Sequence, residues 1–254
     1  MIAVAAHLAF NCGELDASNA LLDTADGFTS EGRPTGLGWI HNVRALNAVK
    51  AGDLAAAIAI LEPARDGASP LEVISLVNSL GIVQAESGDL VAALASFEDL
   101  LARSQEVGAL DAEAVATGAV AEISHRAGDI RRATETTAAA VELSGESGMR
   151  SQHAMALVGA ARLVADAGDH REAVTLHTGA DRILAETGQQ LFPGDQVLSE
   201  QMYALAQEHL SDEEYVSAIA IGESLADLEL HERAITTLSA QLARDDDQAV
   251  TAAT

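Results

Sequence analysis

The same short turn occurs five times along this chain. A glycine followed by an acidic residue stands at positions 13, 52, 88, 128 and 168, so successive copies are 39, 36, 40 and 40 residues apart. Glycine readily adopts the left-handed backbone that ends a helix. The acidic residue after it caps the next helix and complements its dipole. The repeated pair therefore predicts five helix–turn–helix hairpins.

Residues at constant distances from each glycine support this prediction. Seven residues before it the side chain is always small: Ala6, Ala45, Gly81, Ala121, Ala161. Five residues after it the side chain is again small: Ser18, Ala57, Ala93, Ala133, Ala173. Nine residues after it the first three copies have a large apolar residue, and the last two have a polar residue. These positions are Leu22, Leu61, Phe97, Thr137 and His177. Small residues where two helices cross let their axes approach closely. Five aligned copies are typical of a helical-repeat protein.

Composition agrees with an all-α fold. Aromatic residues make up 3% of the chain and prolines number four, whereas the frequent Ala and Leu favour helices. The first helices of the pairs are predicted near 1–11, 37–50, 70–86, 109–126 and 149–166, and the second near 14–26, 53–65, 89–106, 129–145 and 169–187. Segments 27–36 and 66–70 are predicted loops. Capping helices are expected at 195–210, 212–223 and 226–243, so the chain divides into repeats (1–187), C-terminal helices (188–243) and a flexible acidic tail (244–254).

The repeat resembles the tetratricopeptide repeat (TPR). The stretch "LGIVQAESGDLVAALASFEDLL" from Leu80 carries the likeness best, with a small residue in the first helix, a Gly-Asp turn, Ala in the second helix and a large apolar residue four positions later. The resemblance implies a right-handed superhelical solenoid of antiparallel helix pairs, with about five repeats plus C-terminal helices. The period here is longer than the family's usual ~34 residues, which predicts longer helices or turns.

A second resemblance covers Arg171 to Leu230. This stretch is similar to the end of the helical-repeat region in MalT-like and LuxR-type ATPase-coupled transcription regulators, a bacterial group abundant in actinobacteria. The pieces that carry it are "EAVTLHTGADRILAETGQQLFPGDQ" and "LSDEEYVSAIAIGESLADLE" with Tyr215, although Ser211 replaces the usual Gly. The resemblance implies an ATPase and a DNA-binding helix-turn-helix on the complete polypeptide. Neither a phosphate-binding loop nor a basic recognition helix occurs in this sequence.

In TPR proteins the first helices line a concave groove that binds extended peptides. Carried over repeat by repeat, the predicted groove residues are His7, Phe10, Trp39, Asn42, Leu46, Ser75, Asn78, Ile82, Glu122, His125, Arg126, Met155 and Arg162, accompanied by Ala3, Val49, Ala85, Val115, Gly118, Val158 and Ala165. Asn42 and Asn78 occupy equivalent positions, and an amide can both donate to and accept from a peptide backbone.

Trp39 is a candidate anchor, and Arg126 and Arg162 could hold a carboxylate or phosphate. The alternatives are that Trp39 packs between repeats, that both Asn are solvated or cap a loop, and that the arginines pair within the protein.

Charge and motifs exclude several functions. A formal net charge of −25 disfavours binding to nucleic acid or anionic membranes by this segment. His170, His177 and Asp181 have helical spacing suited to a metal, but the position of His177 predicts burial instead. Cys12, the only cysteine, is expected to be a small packed residue rather than a nucleophile. The apolar opening "MIAVAAHLAF" lacks the basic start of a signal peptide, so it is predicted to be the first helix.

The leading hypothesis is a non-catalytic, cytoplasmic interaction or sensor domain without cofactor or metal. It would be the regulatory part of a transcription regulator and bind a peptide, protein or small inducer. A free-standing adaptor or scaffold protein is the alternative, and an unrecognised all-α enzyme the third. The first repeat has no capping helix before it, so a homodimer through residues 1–26 is also predicted.

Overall fold

The protein is all-α in the residues that the computed structural model describes, 2–30, 37–64 and 69–252. Thirteen helices and no strand occur in these ranges. The helices are α1 (Ile2–Asn11), α2 (Leu15–Ser30), α3 (Leu37–Lys50), α4 (Leu54–Ala64), α5 (Pro70–Glu86), α6 (Leu90–Val107), α7 (Leu110–Arg126), α8 (Ile130–Ser147), α9 (Arg150–Asp166), α10 (His170–Thr187), α11 (Pro193–His209), α12 (Asp212–Ser224) and α13 (Asp227–Ala252).

The five repeated turns have the predicted backbone. Their glycines have φ between 76° at Gly13 and 87° at Gly168, a region that side-chain-bearing residues rarely enter. In the four copies with aspartate, its Oδ1 accepts a hydrogen bond from the backbone N–H three residues later. These pairs are Asp53–Ala56 (2.9 Å), Asp89–Ala92 (3.0 Å), Asp129–Arg132 (3.2 Å) and Asp169–Glu172 (3.1 Å). The aspartate caps are therefore confirmed.

A second set of left-handed glycines follows the second helices of the last three hairpins. Gly108, Gly148 and Gly188 have φ of 68°, 70° and 70° and lie 40 residues apart. The sequence analysis missed them because no acidic residue follows them. They end α6, α8 and α10, where glycine removes the steric cost of the left-handed C-terminal residue.

The small positions are buried where paired helices cross. Ala6, Ala45 and Ala161 are fully buried in the first helices, as are all five residues of the second small column. In the first hairpin, the Ser18 hydroxyl also donates a 2.8 Å hydrogen bond to the Ala6 carbonyl. The column of larger residues is buried in every copy, including His177 as predicted. Close helix packing thus explains both columns.

The described chain divides into two units. The first comprises residues 1–107 with 188–193, and contains α1 to α6. Within it α1 pairs with α2, α3 with α4 and α5 with α6, while α3 also packs beside α1 and α5. Two clusters of buried residues belong to its core, one around Phe10, Leu22 and Leu46 and one around Leu61 and Leu76.

The second unit comprises residues 108–187 with 194–254. Here α7 pairs with α8 and α9 with α10, and α7 also packs beside α9. The later helices cover these hairpins: α12 packs on α10, and α13 packs on α8 and α9. Arg150 supports this arrangement, since its guanidinium contacts Asp227 of α13 at 2.7 Å and Glu186 of α10 at 2.6 Å.

Two predicted irregular segments are partly helical. A loop was predicted at 27–36, but residues 27–30 belong to α2. Residues 31–36 lie outside the described residues. The loop predicted at 66–70 includes Pro70, which begins α5 after an N-capping box formed by Ser69 and Glu72; 66–68 are not among the described residues. Proline is favourable at this first helical position because the missing N–H is not needed there.

The segment predicted as a flexible tail is helical as far as it is described. Helix α13 continues through Ala252 instead of ending near 243. Packing explains the difference: α13 lies against α8, and Arg131 of α8 forms an ion pair with Asp246 at 2.5 Å. A run of acidic residues that would fray in isolation is held by a cation from a distant helix.

Candidate functional site

The predicted groove residues of the first unit lie on α1, α3 and α5, but they differ in exposure. Phe10 and Leu46 are buried in the apolar core, and Ile82 packs partly against both core clusters. The half-buried His7 ring lies 5.8 Å from the Phe10 ring, centroid to centroid. Trp39 is 46% exposed. The accessible part of this surface is therefore mixed, with polar side chains, the partly buried Ile82 and one exposed aromatic residue.

A non-helical segment of the chain lies against this surface. The Gln190 side chain donates a 3.2 Å hydrogen bond from Nε2 to the Cys12 carbonyl. It also fills the space beside Gly13: a Cβ added at Gly13 would come within 2.3 Å of Gln190 Oε1. Two residues later, the ring of Phe192 packs on Phe10 with centroids 6.1 Å apart. Phe192 also contacts both core clusters of this unit. A short segment is therefore held at the turn after α1 by an amide and on Phe10 by an aromatic ring.

Lys50, the only lysine of the chain, completes this arrangement. Its Nζ lies 4.5 Å from the centroid of the Phe10 ring and 5.6 Å from that of Phe192. The Nζ atom is buried, with no hydrogen-bond partner among the described residues. Burial lowers the pKa of Lys50, while the charge of Cys12 acts in the opposite direction. An ammonium group over two aromatic rings that makes no hydrogen bond to the described residues is an unusual feature.

The two equivalent asparagines have different surroundings. Asn42 is buried, and its Oδ1 accepts a hydrogen bond from the Ser79 hydroxyl, which joins α3 to α5. Asn78 and Ser75 are only half-buried. Asn47, which the sequence analysis did not single out, is buried and donates to Ser18 Oγ at 2.9 Å and Asn19 Oδ1 at 2.8 Å. One half-buried amide thus remains on this surface, and the buried asparagines connect helices.

In the second unit, the predicted residues surround a buried arginine. Arg162 of α9 contacts Glu122 of α7, with 3.3 Å between Nη1 and Oε1, and Asp195 of α11, with 3.3 Å between Nη1 and Oδ1. The three side chains are 7%, 19% and 17% exposed. Burial raises the pKa of Glu122, and the charge of Arg162 opposes that shift. Arg162 is therefore held by two carboxylates of its own unit, as the alternative interpretation predicted.

The remaining predicted residues of this unit lie nearby on the same helices. His125 Nε2 is 2.6 Å from the Asp166 carboxylate, which links α7 to α9. Arg126 and Met155 are half-buried. Asp195, which the sequence analysis did not identify, comes from the first turn of α11. Two ion pairs thus join α7 to α9 in this unit, Glu122–Arg162 and His125–Asp166.

The three candidate metal residues do not form one cluster, although His177 and Asp181 are in contact. Both ring nitrogens of His177 are engaged, one with Asp181 at 3.1 Å and one with Ser199 at 2.8 Å. His170 instead packs against His209, with ring centroids 4.3 Å apart. No group of three or more potential metal ligands occurs in the described part of the chain. Cys12 is exposed, so the expectation of a packed cysteine was wrong; it lies in the exposed turn that precedes Gly13.

Neither a scan against protein-family models nor a search of curated proteins finds a match to this chain. Within the described ranges, no helix is both long enough and apolar enough to span a bilayer.

Proposed function

We propose that this chain is a non-catalytic helical-repeat interaction domain that binds an extended segment of a partner protein. The turn chemistry and the two small columns support a TPR-like solenoid, and the resemblance of residues 171–230 supports a role as the regulatory part of a bacterial transcription regulator. The observation that carries the binding role is the Gln190–Phe192 segment on the first-helix surface of the first unit. It is an intramolecular example of the kind of ligand that this surface holds.

The contacts of this segment define the chemistry of the partner. A side-chain amide donates to the Cys12 carbonyl just after α1, and an aromatic residue two positions later packs on Phe10 beside Lys50. Aromatic side chains that enter apolar surfaces dominate many interfaces. A partner that also carries a carboxylate beside its aromatic residue would supply the acceptor that the Lys50 ammonium lacks. The proposed partner is therefore an extended peptide with an amide, an aromatic residue and a neighbouring acid.

A peptide added in trans tests this proposal. A fluorescein-labelled peptide covering residues 186–195, ETGQQLFPGD, is titrated into the wild-type protein and into the Phe192→Ala variant, with anisotropy as the measurement. The variant leaves the surface open, so it should bind the peptide at least tenfold more tightly than the wild type, in which the peptide competes with the chain's own segment.

The matched control is the same peptide with alanine at the position of Phe192, which should not bind either protein. Circular dichroism of Phe192→Ala establishes that the variant is folded. Equal and weak binding of both peptides to a folded Phe192→Ala variant would show that the segment is only part of the core and would overturn the proposal.

A free-standing adaptor is the second candidate function, and it uses the same surface. The two differ in what accompanies the domain: an ATPase and a DNA-binding region on the complete polypeptide would support the regulator. Expression of a stable native protein of this length would support the adaptor.

A further inference from the structure

A second candidate site lies in the second unit, beside helix α10. A cavity of about 760 Å³ opens between α10, α11 and α12. Its volume is within the range of small-molecule sites. The residues that line it are Thr178, Asp181, Arg182, Tyr203, Tyr215, Ile219 and Glu223.

Both tyrosines of the chain line this cavity. Tyr203 and Tyr215 are half-buried and pack beside a small apolar cluster that includes Ile219. The edge-to-face contact of Tyr203 with the buried His177, at 4.8 Å between centroids, holds the Tyr203 ring in place. In a chain with 3% aromatic residues, the placement of both phenol rings at one opening gives the cavity an aromatic wall.

Carboxylates dominate the charge at the cavity. Asp181 accepts a 2.7 Å hydrogen bond from the Tyr203 hydroxyl, and its side chain is 45% exposed. Glu223 is exposed on the α12 side. The one cation of the lining, Arg182, is engaged by Glu186 at 2.8 Å and by Asp227 at 3.0 Å. Arg150 shares these two carboxylates, so the two cations and the two carboxylates balance. The carboxylates of Asp181 and Glu223 are in excess.

We propose that this cavity binds an organic ammonium ion, with the cationic head against the faces of Tyr203 and Tyr215 and its charge balanced by Asp181 and Glu223. Aromatic faces attract ammonium groups through the ring quadrupole, and quaternary ammonium ligands are commonly held between aromatic rings. The excess of carboxylates disfavours an anionic ligand. This site lies on other helices than the peptide surface proposed above and does not depend on it.

Fluorine NMR of the full-length protein gives a direct test. Incorporation of 3-fluorotyrosine yields two signals, which the Tyr203→Phe and Tyr215→Phe variants assign. The protein is titrated with choline and, separately, with 3,3-dimethylbutan-1-ol, which has the same shape without the charge. We expect choline to shift both signals saturably and the neutral alcohol to leave them in place.

Variants separate the contributions of ring and charge. Binding of choline, measured by calorimetry on unlabelled protein, should survive in Tyr215→Phe, which keeps the aromatic face, and weaken about tenfold in Tyr215→Leu, which does not. Glu223 is exposed and glutamine has the same shape without the charge. Glu223→Gln should therefore weaken the binding of choline and leave any binding of the alcohol unchanged. Thermal unfolding of each variant provides the control for folding.

Three outcomes would overturn the proposal. Equal shifts with choline and the alcohol would identify an apolar site without preference for a cation. A shift with acetate or phosphate but not with choline would identify an anion site at Arg182. No shift with millimolar choline in the folded protein would show that the cavity does not bind this class of ligand.

Discussion

Gly81 of α5 lies directly against the ring of Phe97 of α6. A Cβ at Gly81 would come within 2.6 Å of Phe97 Cε1, closer than non-bonded carbons approach. The equivalent pairs in the first two hairpins are Ala6 with Leu22 and Ala45 with Leu61, all buried. In the third hairpin, therefore, α5 lacks the methyl group of the equivalent alanines, and α6 carries a phenyl ring in place of the equivalent leucines.

This relationship predicts a coupled effect of two substitutions. Gly81→Ala should lower the free energy of unfolding by about 1 kcal/mol, since an overpacking cost of ~1–3 kcal/mol exceeds the gain of up to about 1 kcal/mol in helix propensity. Adding Phe97→Leu recreates the Ala–Leu pair of the first hairpins and should recover part of the loss. Urea unfolding of the two single variants and the double variant measures the coupling. Strictly additive effects would contradict the proposed packing.

The buried Arg162 predicts a larger loss. Arg162→Met removes the counterion of Glu122 and Asp195 and should destabilise the protein by about 3–5 kcal/mol, because two carboxylates would remain buried without a partner. Adding Glu122→Gln and Asp195→Asn removes those charges and should restore most of the stability. A triple variant no more stable than Arg162→Met in urea unfolding would show that the arginine acts through packing rather than charge.

The aspartate caps predict a smaller, local effect. Asp89 accepts a hydrogen bond from the Ala92 N–H at the start of α6. Asp89→Ala should cost about 1 kcal/mol of stability, whereas Asp89→Asn, which keeps the side-chain oxygen, should cost little. Thermal unfolding of the two variants distinguishes a cap from a general charge effect. Equal losses would mean that the charge at the helix N-terminus, and not the hydrogen bond, is what matters.

His153 predicts a dependence of stability on pH. Burial is the main cause that lowers the pKa of His153 below 6.5; the His231 ring, 5.3 Å away, adds to this and Asp227 opposes it. As the pH falls below 6.5, the unfolded chain takes up a proton that the native state resists, so stability decreases. Between pH 7.5 and 5.5, the decrease in unfolding free energy should be smaller for His153→Gln than for the wild type. Parallel pH profiles would contradict a buried neutral imidazole.

The predicted dimer depends on the surface of α1. Val4 and Leu8 are 64% and 59% exposed and lie one helical turn apart, so they share a face. If residues 1–26 form a homodimer, Val4→Ser together with Leu8→Ser should convert it to a monomer without loss of helicity. Sedimentation velocity at several concentrations measures this. A wild-type protein that is already monomeric at high concentration would refute the prediction.

Local chemistry was well predicted, whereas the roles of particular side chains were not. The Gly-Asp turns and the first hairpin helices follow from interactions within a few residues, so the predicted and observed bounds of α3, α5, α7 and α9 differ by at most one residue. Asn42 and Asn78 have the same position in the repeat but not the same environment. The difference arises from Ser79, which happens to face Asn42.

The sequence by itself determined the hairpins of this protein, because a left-handed glycine, a capping acid and small residues at set distances act over short range. Only the tertiary structure decided what covers each surface. Phe192 and Asp195 are separated by three positions, yet Phe192 packs on Phe10 of the first unit and Asp195 pairs with Arg162 of the second. No periodicity marks such contacts, since their partners lie far away in the chain and are brought near only by the packing of whole helices.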